Sequence, residues 1–180
     1  MRHVILRDCA RQSAREGFTL VELLVTVLCV AIAAFIVLPT VSDNSGERVR
    51  GAAQILVADL EYAQSRSMSQ GDDPGKRCLL VIDPDRAGYR ITTRSDPTAA
   101  VTNKIGGDPY VTRFGSGRAS SLVNVTVGSY SLGGDQQLGF GALGQLDQPS
   151  TATIQLVCGT RSLAITLDPT TGEITTGPLQ

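Results

Sequence analysis

The chain has 180 residues, 42% hydrophobic and 18% charged, with 16 basic against 17 acidic side chains and a formal net charge of -1. Near-neutral charge, 4% aromatic content and no tryptophan leave out the base-stacking and phosphate-binding inventory of a general nucleic-acid binder. The length allows one modest domain plus accessory segments.

Residues 1–17, MRHVILRDCARQSAREG, carry Arg2, Arg7, Arg11 and Arg15 against Asp8 and Glu16, and positive flanks stay on the cytoplasmic side of a membrane. The next 21 residues, Phe18 to Leu38, hold a single ionisable group, Glu22. As a helix they reach about 31 Å, enough to cross a hydrocarbon core of roughly 30 Å. The rest of the chain is then expected outside the inner membrane. Three readings compete for this stretch. One is a secretory signal cut at the small residues Ala31-Ile32-Ala33. The second is a plain anchor, and the third is a segment that uses Glu22. A charge near the middle of a span costs about 2.5–3.5 kcal/mol, so Glu22 needs a partner or a task. A modest one is available, because Thr19-Leu20-Val21-Glu22 fits a Ser/Thr-x-x-Glu capping box.

The string Gly17-Phe18-Thr19-Leu20-Val21-Glu22-Leu23-Leu24-Val25 closely resembles the type IV prepilin signal shared by pilins and type II secretion pseudopilins. The resemblance implies that a prepilin peptidase cuts after Gly17 and methylates the new amine on Phe18. It implies that Glu22 then neutralises a terminal amine during assembly. Physical chemistry is consistent with that task. An ammonium at Phe18 and a carboxylate at Glu22 lie one helical turn apart, so a staggered neighbouring helix can bring its amine to this carboxylate.

Pro39 is expected to break or bend the helix. Beyond Ser42-Asp43-Asn44-Ser45-Gly46 a helical pattern resumes, with Val49, Ala52 or Ala53, Leu56, Leu60 and Ala63 on one face, and it stops at Gly71. Asp72-Asp73-Pro74-Gly75 reads as a turn. From Arg77 the period changes to two, and strands are predicted at 78–82, 89–93, 110–114, 122–127, 137–140, 151–158, 163–167 and 173–176. Val123, Val125 and Val127 are expected on one face, as are Ile154, Leu156 and Cys158, and Leu163, Ile165 and Leu167. Asp83-Pro84-Asp85-Arg86-Ala87-Gly88 and Asp168-Pro169-Thr170-Thr171-Gly172 carry turn chemistry.

The predicted fold class is α+β: a long N-terminal transmembrane helix, pilin-like, packed at its C-terminal half on an antiparallel β-meander or sandwich. The expected parts are a leader at 1–17, a transmembrane and assembly helix at 18–41, an amphipathic continuation at 42–71 and a periplasmic β-domain at 72–180. This order is similar to GspH/FimT-type minor pseudopilins, with Leu60-Glu61-Tyr62-Ala63-Gln64-Ser65-Arg66-Ser67 and Phe140-Gly141-Ala142-Leu143-Gly144-Gln145-Leu146 adding local likeness. The stretch from Asp96 to Gly117 matches less well. The resemblance implies a single-pass inner-membrane subunit of a type II secretion pseudopilus, near its tip. Its implied partners are the prepilin peptidase, other major and minor pseudopilins, membrane lipid and exported cargo. The alternative is a FimT/FimU-like minor pilin of a type IV pilus, with a role in DNA uptake. That role needs clustered cations, and after Arg118 the chain has only Arg161 against Asp135, Asp147, Asp168 and Glu173.

No catalytic, cofactor or metal site is expected. The one histidine, His3, leaves with the leader, so no imidazole remains for base catalysis or a zinc site. Lys76 and Lys104 have no spacing that suggests Ser-Lys chemistry. The Asp83–Gly88 stretch begins like a calcium loop, but Ala87 and Arg94 replace ligands, and a hairpin turn is the better reading. Gly115-Ser116-Gly117 is too short for a phosphate cradle. Asn124-Val125-Thr126 is a chance sequon on a predicted strand. Cys9 leaves with the leader and Cys29 sits in the apolar helix. Cys78 and Cys158 fall on predicted strands in an oxidising compartment, either bridged or as two free thiols.

Overall fold

The structure is a computed structural model that describes residues 19–37, 44–102, 107–134 and 136–180, with the side chains of 34–37 left out. Gly17, Phe18 and Pro39 therefore lie outside the described residues. The chain divides into two compact units, residues 1–42 and 43–180.

In the first unit, helix α1 spans Leu20–Val37, 18 residues with Glu22 in its first turn. That length corresponds to about 27 Å, and among the described residues no helix is long and apolar enough to cross a membrane. The transmembrane helix expected over Phe18 to Leu38 is thus not seen at full length, because both of those end residues lie outside the described set.

The second unit opens with α2, Ser45–Ser69. Val49, Ala52, Ala53, Leu56, Leu60 and Ala63 are all buried, so the helical periodicity located the packed face correctly. The helix ends where the Gln70 and Gly71 amides turn back to the Ser67 and Met68 carbonyls. The Asp73 carboxylate then caps the next turn by accepting from the Gly75 amide at 3.0 Å.

Among the described residues nine strands follow: β1 Cys78–Ile82, β2 Gly88–Thr93, β3 Asp96–Ala100, β4 Val111–Arg113, β5 Val125–Ser131, β6 Gln137–Gly139, β7 Ala152–Cys158, β8 Arg161–Leu167 and β9 Ile174–Thr176. They form two antiparallel sheets. The first has the order β3-β2-β1-β6, with β4 also on β2; the second has the order β5-β7-β8-β9. Leu56 and Leu60 of α2, Leu80, Ile82 and Ile91 of the first sheet and Ile154, Leu156, Ile165 and Leu167 of the second share one core. Each such side chain contributes about 1.5–3 kcal/mol when fully buried.

Two strand expectations need correction. β3 was not predicted: its side chains are mostly exposed and Pro97 interrupts it, so it lacks the alternation that marks a half-buried strand. β5 starts three residues later than expected. Asn124 takes a left-handed φ of 66°, which turns Val123 out to solvent while Val125 and Val127 point inward. The Asn124 sequon therefore begins in a turn before the strand.

The β1–β2 turn clasps the second sheet. Arg86 adopts φ 55°, and its carbonyl accepts from the Val127 amide at 2.8 Å. Its guanidinium donates to the Gly128 carbonyl at 2.7 Å and lies 5.4 Å from the centre of the Tyr130 ring. The outer edge of β5 is thereby covered, which protects it from pairing with foreign strands. At the other end of α2, the Gln64 amide donates to the Gly144 carbonyl at 2.8 Å and to the Gly172 carbonyl at 3.1 Å. Gly172 has φ 69°, and a Cβ there would stand 2.0 Å from the Gly144 carbonyl oxygen. Only glycine fits that crossing of two turns. Gly172→Ala is expected to cost about 3 kcal/mol. Thermal unfolding followed by circular dichroism should then show a melting temperature lowered by roughly 5–10 °C.

Candidate processing and assembly site

Glu22 closes a capping box at the start of α1. The Glu22 amide donates to Thr19 Oγ1 at 3.2 Å, while the Thr19 amide and hydroxyl donate to Glu22 Oε2 at 3.5 and 3.4 Å. These bonds are long and exposed, so the carboxylate is held loosely. Its second oxygen, Oε1, accepts nothing among the described residues. Around it the helix is mainly apolar, and its large described side chains, from Leu20 to Ile32, are between 49% exposed at Val25 and 80% exposed at Leu20. A helix with no polar face needs an apolar cover from lipid or other helices. Any such cover surrounds Glu22 with low-dielectric material, and its spare oxygen is then open to a cation.

Cys78 and Cys158 are both free and buried, so the bridge entertained from the sequence is not formed. The two cysteines lie on different sheets. Cys78 stands opposite Thr93, with its amide donating to Ser67 Oγ at 2.9 Å. Cys158 stands opposite Val125 and Arg161. Burial pushes the Cys78 thiol up, against the pull of nearby Arg66, as expected of an inert core thiol.

The strongest polar constellation in the molecule was missed in the sequence. Asp59 sits on the apolar stripe of α2 between Leu56 and Ala63 and is 1% exposed. Its Oδ2 accepts from the Tyr89 hydroxyl at 2.6 Å, from Thr112 Oγ1 at 3.1 Å and from the Arg118 guanidinium. Its Oδ1 accepts from the Tyr110 hydroxyl at 2.8 Å. Arg118 also donates through Nε to Thr112 Oγ1 at 3.1 Å and lies 4.9 Å from the centre of the Tyr110 ring. The Tyr110 ring also stacks on Tyr62, with centroids 4.8 Å apart, and the Tyr62 hydroxyl accepts from Arg66 at 3.0 Å. The available signal was an acid on a core position of an amphipathic helix, which requires buried donors.

Desolvation, then the Asp59 charge, raises the Tyr89 phenol well above its ordinary value; desolvation and the Asp59 hydrogen bond raise Tyr110. Desolvation opposes the Arg118 charge, but Asp59 more than offsets it, so that guanidinium is also raised. All three groups keep their protons better in the folded state. Their stabilisation is therefore fully present below the ordinary phenol value of about 10 and is lost as pH rises through the higher folded values. The melting temperature should fall steeply above about pH 10 in the wild type and less steeply in Tyr89→Phe, in a thermal unfolding series against pH.

Residues 12–38 match the family model described as the prokaryotic N-terminal methylation motif. No curated protein matches the chain. The crystal structure of the type IV minor pilin FimU of Pseudomonas aeruginosa is loosely similar, with 18% identity and a TM-score of 0.48 over 72% of this chain and 92% of that one. The chain thus carries a prokaryotic N-terminal methylation motif over residues 12–38, with Glu22 inside it.

Proposed function

We propose that the protein is a minor pseudopilin that enters the periplasmic pseudopilus of a type II secretion system, near its tip, and carries out no turnover of its own. The observation that carries this reading is Glu22, an acid whose Oε1 accepts nothing among the described residues, in the first turn of a mainly apolar helix and inside the methylation motif. In this reading the prepilin peptidase cuts after Gly17, and the methylated amine of Phe18 becomes a cation one helical turn from Glu22. A single helix cannot bury that pair comfortably. A staggered neighbour can, since its amine reaches the Glu22 carboxylate and both charges enter the apolar bundle neutralised. Losing one partner leaves the other buried and uncompensated, at about 3–5 kcal/mol.

DNA uptake, the task attached to the pilus alternative, needs free cations on the surface. Several arginines of the β-domain are instead engaged by acids: Arg90 and Arg113 by Asp83, Arg113 by Asp85, Arg94 by Asp147 and Arg118 by Asp59. This supports a role without nucleic acid.

The mass of the mature chain tests the processing step: it should begin at methylated Phe18, whereas a start at Ala34 means a secretory signal. Glu22→Val should be processed normally yet recover about a hundredfold less cross-linked product with neighbouring subunits, in line with the low end of the cost of an uncompensated amine. A deletion strain should lose protein export and keep twitching and transformation; the reverse pattern means a pilus subunit.

A further inference from the structure

We propose that residues 109–119, comprising β4 and the 3₁₀ turn Gly117–Ala119, form a strap that the Asp59 carboxylate holds as a separately releasable unit. The strap lies at the edge of the first sheet, where β4 pairs with Gly88, Tyr89 and Arg90 of β2. β4 is three residues long, and its outer two side chains are exposed. The one side chain it buries, Thr112, is polar and ends on Asp59. The strap sends two further polar groups to the same carboxylate, the Tyr110 hydroxyl and the Arg118 guanidinium. Phe114 and Ala119 add apolar contact, with Phe114 set edge-on to Tyr89. Among the described residues no strand of the second sheet donates to Asp59.

Three of the strap's side chains, Tyr110, Thr112 and Arg118, thus end on one buried group of another element, while Arg113 pairs at the surface with Asp83 and Asp85. Removing the charge of Asp59 therefore weakens three attachments of the strap together and leaves the hydrogen bonds of the β7–β8 hairpin as they were. Release of the strap bares the outer edge of β2 at Gly88–Arg90. The fit there is close. A Cβ on Gly88 would lie 2.4 Å from the Thr112 carbonyl oxygen, so the strap seats only against glycine.

Hydrogen exchange on the full chain in detergent micelles tests this, read as the ratio of rates in peptides covering 109–119 and 152–167. In Asp59→Asn the strap peptide should exchange about tenfold faster than in the wild type, with the hairpin peptide unchanged. Arg118→Gln, which removes the cation that meets Asp59 and keeps the core residue, should shift the ratio in the same direction and carries the test if Asp59→Asn does not fold. Equal acceleration of both peptides, or no acceleration of the strap, overturns the proposal. Neither result bears on Glu22 or on processing, so the assembly reading is tested separately.

Discussion

A carboxylate on the apolar face of a helix must find donors or forgo burial, and Asp59 is the place where that constraint shapes the β-domain. Its two oxygens take hydrogen bonds from Tyr89, Tyr110, Thr112 and Arg118. These donors come from β2, from the segment around β4 and from the turn beyond it. Helix and first sheet can therefore dock in only one way, since any slip strands a buried charge. A buried ion pair of this kind is weak evidence for stability in itself. Its contribution is to specificity: apolar side chains accept many arrangements, while a carboxylate with four convergent donors accepts one.

Glu22 poses the same problem on α1 and is answered differently. It too is an acid on an apolar helix, but among the described residues it takes only the loose capping bonds of Thr19. Asp59 is satisfied internally and serves the fold. Glu22 is satisfied in part and keeps capacity for a cation from elsewhere. The contrast separates a residue whose demand is met by tertiary structure from one whose demand fits assembly. It also explains why a capping box and an intersubunit role need not compete, because the cap uses one oxygen.

Two further joints are each made by a single residue. Arg86 ties the β1–β2 turn to β5 through a carbonyl, a guanidinium and a ring contact. Gln64 ties α2 to two turns that cross at Gly144 and Gly172. Both joints link segments far apart in the chain, and both use backbone groups as partners. Neither leaves a signature in local composition.

What the sequence alone determined is what depends on short-range pattern. The spacing of Val49, Leu56, Leu60 and Ala63 located the buried face of α2, and the alternation in Ile154, Leu156, Leu163 and Ile165 located the β7–β8 hairpin, since period reports burial directly. The motif around Gly17 and Glu22 was legible for the same reason, being contiguous. The tertiary structure decided what depends on distance in space. It placed Cys78 and Cys158 on separate sheets, and it let the edge strand β3 form with little burial to announce it. It turned Val123 outward through a single left-handed residue and gathered the donors of Asp59 from up to 59 positions away. Hydrophobic period is written along the chain, whereas the partner of a buried charge is fixed only when the chain has folded around it.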